Sequence, residues 1–304
     1  MKASKLWLGT AVIRGIESHR SPDERLFEDR LALAFLPSVW RRIIGLLRSV
    51  GLLDAVLAMR ERQYPGVVGN LLCRTRYIDD VLREALKAGF DQVVLLGAGF
   101  DSRPYRIPGI DQTRVFEVDH PATQARKRAR LQQILGTLPS HVAFVPIDFD
   151  RQKLKDVMPA AGFSTGARTF FLWEGVTQYI SAEAVDATFE YVSRAAGNQS
   201  RIVFTYIRKG IIDGSSRSPQ DEKLISLTRR IGVPWVFGID PNDVAEYLSA
   251  RGLELVEEVG TSEYKVRYLE PLRREMTVFE GERVALATGA SGARQARSGT
   301  LGAK

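Results

Sequence analysis

The chain has 304 residues, with 43 Lys and Arg against 36 Asp and Glu, three His and one Cys. This length fits one large α/β domain or two small ones, and 44% hydrophobic with 26% charged residues is typical of a globular protein. The composition excludes a collagen-like repeat, a disulfide scaffold and a chain that is disordered throughout.

The formal net charge of +7 is concentrated at the two ends of the chain. Residues 1–90 carry 15 basic and 10 acidic residues, and residues 291–304 carry three basic residues and no acidic one. The stretch between them is close to neutral, which is not typical of a nucleic-acid-binding body. We therefore expect no nucleic-acid partner.

The sequence also indicates where the protein works. No apolar run approaches the ~20 residues of a membrane span, and the N-terminus lacks the apolar core and cleavage site of a secretory signal. The single cysteine, Cys73, fits a reducing compartment. We expect a cytoplasmic protein without a membrane partner.

The first part of the chain is predicted to be helical with short breaks. Residues 23–36 have apolar side chains at helical spacing, and residues 38–59 continue this pattern. Residues 67–88 are the most regular helix, because apolar residues recur every three or four positions. We expect residues 1–90 to form an N-terminal helical cap.

From residue 91 onward, short apolar strands alternate with helices. Strands are predicted at 92–99, 113–119, 141–148, 168–175, 200–207, 253–260 and 282–289, and helices at 121–135, 181–196 and 241–251. This alternation predicts an α/β fold with a Rossmann-like, doubly wound, mostly parallel seven-stranded sheet.

The remaining segments complete the expected organisation of the chain. Residues 91–290 are predicted to be the core domain. Within it, residues 208–240 are too long for a plain connection and are predicted to form a lid. Residues 291–304 are small, polar and basic, which predicts a disordered tail.

The first core strand ends in a glycine turn, Gly97-Ala98-Gly99. Glycines there let the backbone turn tightly and let a ligand lie against the main chain. Ser102 stands where the dinucleotide fingerprint needs a third glycine, so an NAD(P) site is disfavoured. A tight turn without a ligand is the open alternative.

Acidic residues follow the second and third strands. Asp119 comes about 20 residues after the glycines, where a carboxylate can accept hydrogen bonds from a ribose diol. Asp148 with Phe149 suits the edge of an adenine ring. Alternatively, each aspartate caps the helix that follows it.

The fourth strand ends in Glu174, which closes an apolar run. An unpaired charge would be costly there, so Glu174 needs a cationic or hydrogen-bond-donating partner. That partner is either a ligand ammonium or an arginine from the N-terminal helices. Four successive strand ends thus carry residues of the kind that bind ligands.

Together these motifs resemble the class I S-adenosylmethionine-dependent methyltransferases of the leucine carboxyl methyltransferase group, including its bacterial branch with polyketide O-methyltransferases. The resemblance spans roughly residues 10–290 and implies S-adenosylmethionine as the cofactor. The matching stretches are LLGAGFDSRPYR (95–106), FEVDHP (116–121), VPIDF (145–149), WEGVTQYI (173–180), RTRYIDD (74–80) and GVPWVFGID (232–240).

The resemblance implies that eight residues contact the cofactor: Arg74, Gly97, Ala98, Gly99, Asp119, Asp148, Phe149 and Glu174. Arg74 would hold the methionine carboxylate, a role that comes only from the resemblance, since the helical pattern alone allows a solvated charge. Arg14 is the nearest match to an N-terminal basic residue that also touches the cofactor. Cys73, beside Arg74, is expected to be close enough to serve as a labelling site.

The resemblance implies O-methyl transfer to a carboxylate or hydroxyl of a small molecule, such as a polyketide-like secondary metabolite. A hydroxyl acceptor usually needs a general base, whereas a carboxylate does not. None of the histidines, His19, His120 and His141, stands where a base is expected, which favours a carboxylate. No metal is expected.

Three further residues are candidates for the acceptor pocket: Tyr179, Tyr206 and Arg76. Core packing for the tyrosines and a surface position for the arginine are the open alternatives. Other functions also remain open, namely a protein C-terminal carboxyl methyltransferase, a cofactor-binding protein without catalysis and an RNA-associated methyltransferase. The sequence allows a monomer or a dimer.

Overall fold

The computed structural model describes residues 4–149, 151–195 and 199–289. The predicted tail, residues 291–304, lies outside these ranges. The strands are β1 (Gln92–Leu96), β2 (Arg114–Asp119), β3 (Val142–Pro146), β4 (Thr169–Trp173), β5 (Arg201–Ile207), β6 (Leu253–Val259) and β7 (Glu282–Gly289).

The α-helices fall before, between and after these strands. In chain order they are α1 (Ser4–Glu17), α2 (Arg30–Ala34), α3 (Ser38–Ser49), α4 (Leu53–Gln63), α5 (Val67–Lys87), α6 (Arg103–Arg106), α7 (Pro121–Leu135), α8 (Leu154–Val157), α9 (Ala182–Ala195), α10 (Lys209–Asp213), α11 (Pro219–Ile231), α12 (Val244–Ser249) and α13 (Thr261–Tyr264).

The strands form one seven-stranded sheet in the order β3-β2-β1-β4-β5-β7-β6. Strands β1 to β5 are parallel, and β7 runs antiparallel between β5 and β6. The strand order reverses between β1 and β4, which is the switch point where ligands bind in sheets of this kind. The predicted α/β, doubly wound, mostly parallel fold is confirmed.

The central strands β1 and β4 are buried along their whole length because helices cover both faces of the sheet. On one face, Val93 and Leu95 pack with apolar residues of α5, including Leu72 and Ile78. On the other face, α8, α9 and α12 pack against β1, β4 and β5 through a second cluster. The predicted helix at 67–88 therefore contributes directly to the core of the sheet.

The N-terminal region differs from the sequence prediction at one point. The predicted helix over 23–36 is wrong, because only α2 forms within it. Side chains of the preceding segment take the backbone donors instead: Leu26 N donates to Glu17 Oε1 at 2.6 Å, and Asp29 N donates to Ser18 Oγ at 2.7 Å. These bonds hold residues 21–29 in an extended and turning path.

The segment 208–240 contains α10 and α11 and is tied to the sheet at both ends. Ile239 N donates to Ile207 O at 3.0 Å, and Lys209 N donates to Ile239 O at 3.0 Å. Between these points Ile211, Leu224 and Ile225 form an apolar cluster with Phe279. The segment is therefore a folded helical insertion above the end of β5.

The connection from β6 to β7 contains a helix that the sequence did not predict. Helix α13 continues into a π-helical stretch, Lys265–Leu269, before the chain returns to β7. Tyr264 and Leu269 are buried against α5 and the sheet. Among the residues that the structure describes, no helix is both long and apolar enough to cross a membrane.

Candidate active site

The candidate site lies at the carboxyl ends of the parallel strands, around the switch point between β1 and β4. Antiparallel β7 also reaches this edge, but with its first residue, because it runs in the opposite direction. Side chains from β2, β3, β4 and β7 and from helix α5 therefore meet the glycine turn after β1.

The glycine turn is fixed to the neighbouring strand. The backbone N–H groups of Gly97 and Ala98 both donate to Val118 O, at 2.8 and 3.0 Å. Gly97 has φ +68°, and a Cβ there would lie 2.5 Å from Val176 Cγ2. Gly97 is therefore required both by its backbone conformation and by the residue that follows β4.

Asp119 meets this turn from the end of β2. Its carboxylate accepts hydrogen bonds from Gly99 N and, at 2.6 Å, from His120 N. Burial raises the pKa of Asp119, and the two backbone N–H groups partly offset that shift. Helix α7 is capped by His120, whose Nδ1 accepts from Ala122 N, so the alternative that Asp119 caps this helix is wrong.

A buried ion pair lies behind the turn. Lys127 Nζ donates to Glu117 Oε1 at 2.7 Å and to Ala98 O at 3.4 Å, and Tyr105 Oη donates to the same carboxylate at 2.7 Å. Glu117 and Lys127 are each 1% exposed. This pair fixes α7 to β2 and orients the carbonyl of the turn.

Asp148 and Phe149 follow β3, next to the end of β2. The carbonyl of Asp148 accepts from Arg151 N at 2.9 Å and Gln152 N at 2.8 Å, which makes a local turn. The next helix is α8, whose N-cap is Lys153, so the alternative that Asp148 caps the helix that follows it is wrong. Both Asp148 and Phe149 are half-buried beside Asp119.

Arg74 reaches the same edge from the middle of α5. Its Nε donates to Glu174 Oε1 at 2.9 Å and its Nη1 donates to Glu282 Oε2, which also accepts from Asn70 Nδ2 at 2.6 Å. The third nitrogen, Nη2, donates to no described residue, and a Cβ on Gly175 would lie 3.6 Å from it. Arg74 is therefore held rigidly with one donor left over.

Glu174 is paired with arginines from two directions. Besides Arg74, Arg103 Nη1 donates to Glu174 Oε2 at 2.6 Å. Burial alone would raise the pKa of Glu174, but Arg103 and Arg74 hold it below its usual range. The expectation that Glu174 needs a cationic partner is confirmed, and the partner from the N-terminal helices is Arg74.

Arg103 is the centre of a larger buried network. Its Nε donates to Asp79 Oδ1 at 2.7 Å and its Nη1 to Asp101 Oδ2 at 2.6 Å. Arg106 completes the pairing of Asp79, with bonds of 2.6 and 2.8 Å to the two carboxylate oxygens. Arg103 is 1% exposed, so it orients the site from beneath without reaching solvent.

Arg14, which the resemblance places against the cofactor, contacts the loop after the glycine turn. Its Nη2 donates to Phe100 O at 3.0 Å, one residue beyond the glycine turn, and its Nη1 lies 3.5 Å from Asp29 Oδ2. Asp29 also accepts from Ser102 Oγ at 2.6 Å. Helix α1 is thus attached to the loop that follows Gly99.

The three candidates for the acceptor pocket, Tyr179, Tyr206 and Arg76, differ in where their side chains lie. Tyr179 ends the turn after β4 and is half-buried there, and burial is the main cause of its raised pKa. Tyr206 is fully buried and donates to Glu258, so its predicted place in the acceptor pocket is wrong. Tyr206 is instead a residue of the hydrophobic core, which was the alternative interpretation of the sequence.

Arg76 also points away from the site. It is two residues from Arg74, so the two side chains leave α5 about 200° apart. Its Nε donates to Asp80 Oδ2 at 2.9 Å and its Nη1 to Leu26 O at 2.6 Å. The prediction that Arg76 lines the acceptor pocket is therefore wrong.

The histidines and the cysteine are occupied elsewhere. His120 caps α7, and His141 Nε2 is 3.0 Å from Pro104 O. The pKa of His19 is lowered by burial and by Arg48. Cys73 is fully buried, which also raises its pKa to about 12, so its thiol is not accessible for the expected use as a labelling site. Within the described ranges, no group of His, Cys, Asp and Glu is arranged to hold a metal ion.

Sequence reasoning missed several residues of this network. Asp79, Asp101 and Arg103 stood within stretches that matched the family, but no role was assigned to them. Glu282 had no signal beyond being an acid at the start of an apolar strand. Asn70, which bonds to Glu282, is one helical turn before Arg74 on the same face of α5.

Comparison with known proteins agrees with this geometry. A profile of the leucine carboxyl methyltransferase family matches residues 7–193. This chain belongs to that family. The resemblance inferred from the strand-end motifs is therefore confirmed.

Individual relatives support the assignment. A protein of Streptomyces coelicolor named "Putative S-adenosyl-L-methionine-dependent methyltransferase" is 30% identical over 257 residues, covering 84% of this chain and 85% of the relative. A protein of Bacillus subtilis named in the same way is 29% identical over 210 residues, covering 69% of each chain.

Among solved structures, a putative methyltransferase from Thermobifida fusca matches with a TM-score of 0.53 and 18% identity. The match covers 79% of this chain and 89% of that chain. A second, a DUF574 family protein from Streptomyces avermitilis, also has a TM-score of 0.53, with 15% identity, 78% of this chain and 90% of that chain. These structures support the fold.

Proposed function

We propose that this protein binds S-adenosylmethionine at the β1–β4 switch point and transfers its methyl group to an oxygen of a small molecule, with a carboxylate as the preferred acceptor. The chemistry that the cofactor supplies when bound is an electrophilic methyl carbon on a sulfonium. The protein supplies position and a dry, ordered electrostatic environment.

The single observation that carries the proposal is the state of Arg74. Two of its nitrogens are fixed by Glu174 and Glu282, and Nη2 is left over beside the turn at Gly175. A rigid guanidinium with one uncommitted donor fits the carboxylate of an amino-acid-like ligand. Arg74 would hold the methionine carboxylate there, and Glu174 would keep the arginine in place.

The other strand ends fit the rest of the cofactor. Asp119 accepts from two backbone N–H groups, yet each carboxylate oxygen keeps a second lone pair for a ribose hydroxyl. Gly99 leaves open space where a Cβ would stand, with Gly97 O as its nearest neighbour at 3.8 Å. Asp148 and Phe149 lie beside Asp119 and would hold the adenine edge.

The acceptor is proposed to be a carboxylate because none of the three histidines is placed to act as a base. His120 follows β2 but its Nδ1 accepts from Ala122 N, His141 Nε2 lies 3.0 Å from Pro104 O, and burial with Arg48 lowers the pKa of His19. A carboxylate is already ionised at neutral pH, so it needs no proton removed before attack. Tyr179, at the end of the turn that follows β4 and Glu174, would orient it.

The helical insertion supports an organic acceptor of moderate size. Val236 N donates to Gln178 O at 2.8 Å, which brings residues 208–240 over the turn that carries Tyr179. Trp235, next to it, is half-buried with the apolar cluster of α10 and α11. We propose that this segment is the acceptor lid and that a polyketide-like acid fits beneath it.

Methyl transfer from S-adenosylmethionine with a labelled methyl group tests the proposal. The purified protein is incubated with aromatic and polyketide-like acids, with the matching phenols, and with a peptide that has a free C-terminus. We expect labelled products from the acids, and mild base should release the label as methanol because esters hydrolyse while ethers do not. Label retained in base would point to hydroxyl methylation, and peptide labelling alone would point to a protein substrate. No labelled product in any arm, while the cofactor is bound, would contradict transferase activity toward these acceptors.

A further inference from the structure

Helix α3 exposes an apolar face that no described residue covers. Its side chains Val39, Ile43 and Leu46 and the following Val50 are 57%, 42%, 66% and 57% exposed. With 100° per residue, these four positions fall within an arc of about 60° on one side of the helix. Trp40, 46% exposed, borders the same side. Contiguous exposed apolar patches of this kind mark interaction surfaces.

The helix is attached to the protein through a different side. Ile44 is 4% exposed and packs with Ala11 and Leu36, while Leu53 of α4 closes the contact. Ile44 lies about 100° round the helix from Ile43. The exposed stripe is therefore not a core face that lost its partner within the described part of the chain.

The charged residues of α3 are all basic. The helix sequence SVWRRIIGLLRS contains Arg41, Arg42 and Arg48 and no acidic residue. All three arginines are exposed, and none pairs with a described carboxylate. Arg130 of α7 donates to Ala34 O at 2.8 Å and to Leu36 O at 2.6 Å, just before α3, so a further positive charge lies nearby.

We propose that α3 is an interfacial helix that binds the protein to the surface of an anionic lipid bilayer. The Val39–Val50 stripe would lie in the headgroup layer with Arg42, at its edge, on the lipid phosphates, and Arg41 and Arg48 would add positive charge from the opposite, polar side. A basic polar arc, an apolar arc with a tryptophan at its border and a position outside the core are the properties of such helices. This replaces the sequence-based expectation of no membrane partner.

Charge decides between a bilayer and a second copy of this chain. Pairing two copies through this stripe would place two helices that carry three arginines and no acidic residue side by side, which is unfavourable. An anionic surface instead neutralises them, and each basic residue near such a surface strengthens binding about fivefold. The inference does not depend on the identity of the methyl acceptor.

Flotation of the full chain with vesicles tests this inference. We use vesicles of phosphatidylcholine alone and vesicles of equal parts phosphatidylcholine and phosphatidylglycerol. The protein is expected to float with the anionic vesicles only, less so as salt is added. The fluorescence of Trp40 is obtained as the difference between the emission spectra of the unchanged protein and Trp40→Phe. This difference spectrum is expected to shift to shorter wavelength when anionic vesicles are added.

Matched variants separate the stripe from general effects. Leu46→Glu is expected to lower binding at least about tenfold, and Arg42→Gln about fivefold. Val266→Glu serves as the control: Val266 is 63% exposed on the π-helical stretch Lys265–Leu269, outside α3, and this variant should bind as the unchanged protein does. Circular dichroism and S-adenosylhomocysteine affinity check that Leu46→Glu is folded.

Three outcomes would overturn the inference. The first is no flotation with anionic vesicles, and the second is equal binding by Leu46→Glu and the unchanged protein. The third is a dimer of the unchanged protein in size-exclusion chromatography that Leu46→Glu converts to a monomer, which would make a second copy the occupant of the stripe.

Discussion

Arg74 and Glu174 are 100 residues apart in the chain, yet Nε of the arginine donates to Oε1 of the glutamate at 2.9 Å. This bond joins helix α5 to the end of β4 across the switch point of the sheet. Arg103 donates to the second oxygen of the same carboxylate, so Glu174 is held in place from both sides. Arg74 is therefore positioned before any ligand binds. Ligand binding then costs little ordering of this side chain.

Replacing Arg74 tests its role in binding. Arg74→Gln is expected to lower the affinity for S-adenosylhomocysteine about 10- to 100-fold, since a hydrogen bond between charged groups is lost. Arg76→Gln is the matched control, because Arg76 leaves the same helix on another side and bonds to Asp80 and Leu26. Isothermal titration calorimetry measures both. Equal affinity for the two variants would contradict the assignment of Arg74.

Comparing alanine substitutions at two glycines with similar φ angles separates the cost of a left-handed backbone from the cost of steric crowding by a Cβ. Gly97 has φ +68° and a Cβ would meet Val176 Cγ2 at 2.5 Å, whereas Gly109 has φ +83° with nothing within 4 Å. Gly109→Ala should lose about 1 kcal/mol of unfolding free energy from the left-handed conformation alone. Gly97→Ala should lose more and also bind S-adenosylhomocysteine more weakly. Urea denaturation and calorimetry compare them, and equal losses would argue against a crowded turn.

The network around Arg103 predicts a dependence of stability on acid. Burial alone would raise the pKa of Asp101, but Arg103, with Arg14 and Lys127, holds it at about 2. A depressed carboxyl pKa stabilises the fold above its unfolded value of 3.8 and loses that effect as pH falls towards 2. The contribution at neutral pH is about 2 kcal/mol.

Urea unfolding between pH 7 and pH 2 measures this effect. Asp101→Asn is expected to be less stable than the unchanged protein at neutral pH, and the difference should shrink as the pH falls through about 4 to 2. Asp23→Asn is the control, because Asp23 is exposed and should show no such difference. A difference for Asp101→Asn that stays constant with pH would contradict the ion pairing.

The thiol of Cys73 is predicted to be unreactive towards thiol reagents in the folded protein. The side chain is fully buried, and burial raises its pKa to about 12. Since the thiolate is the reactive form, a disulfide reagent at pH 8 should react only after unfolding in urea. Fast reaction of the folded protein would show that the packing around α5 opens readily.

The sequence predicted elements well where local signals agreed. Helix α7 begins at Pro121 and ends before Gly136, and α5 ends two residues before Gly89, as their capping residues indicate. The region 23–36 failed because Glu17 and Ser18, outside the segment, take its backbone N–H groups. Such bonds between distant residues leave no trace in helical periodicity.

The acidic strand ends were predictable because parallel strands bring their carboxyl ends to one edge. Glu282 was not, since it begins a strand and reaches that edge only because β7 is antiparallel to β5. Tyr206 was misplaced for a related reason. Its hydroxyl donates to Glu258 on β6, across the intervening β7. This contact depends on the order of the strands in the sheet, which the local sequence around Tyr206 does not indicate.

The most direct test of the account is the titration of S-adenosylhomocysteine into the unchanged protein, Asp119→Ala and Asp111→Ala. Asp119 lies at the end of β2 against Gly99, and Asp111 is exposed on the connection before β2. We predict one binding site in the unchanged protein and in Asp111→Ala, and affinity about 10- to 100-fold lower in Asp119→Ala. No binding by the unchanged protein, or equal binding by Asp119→Ala, would contradict a cofactor site at the glycine turn.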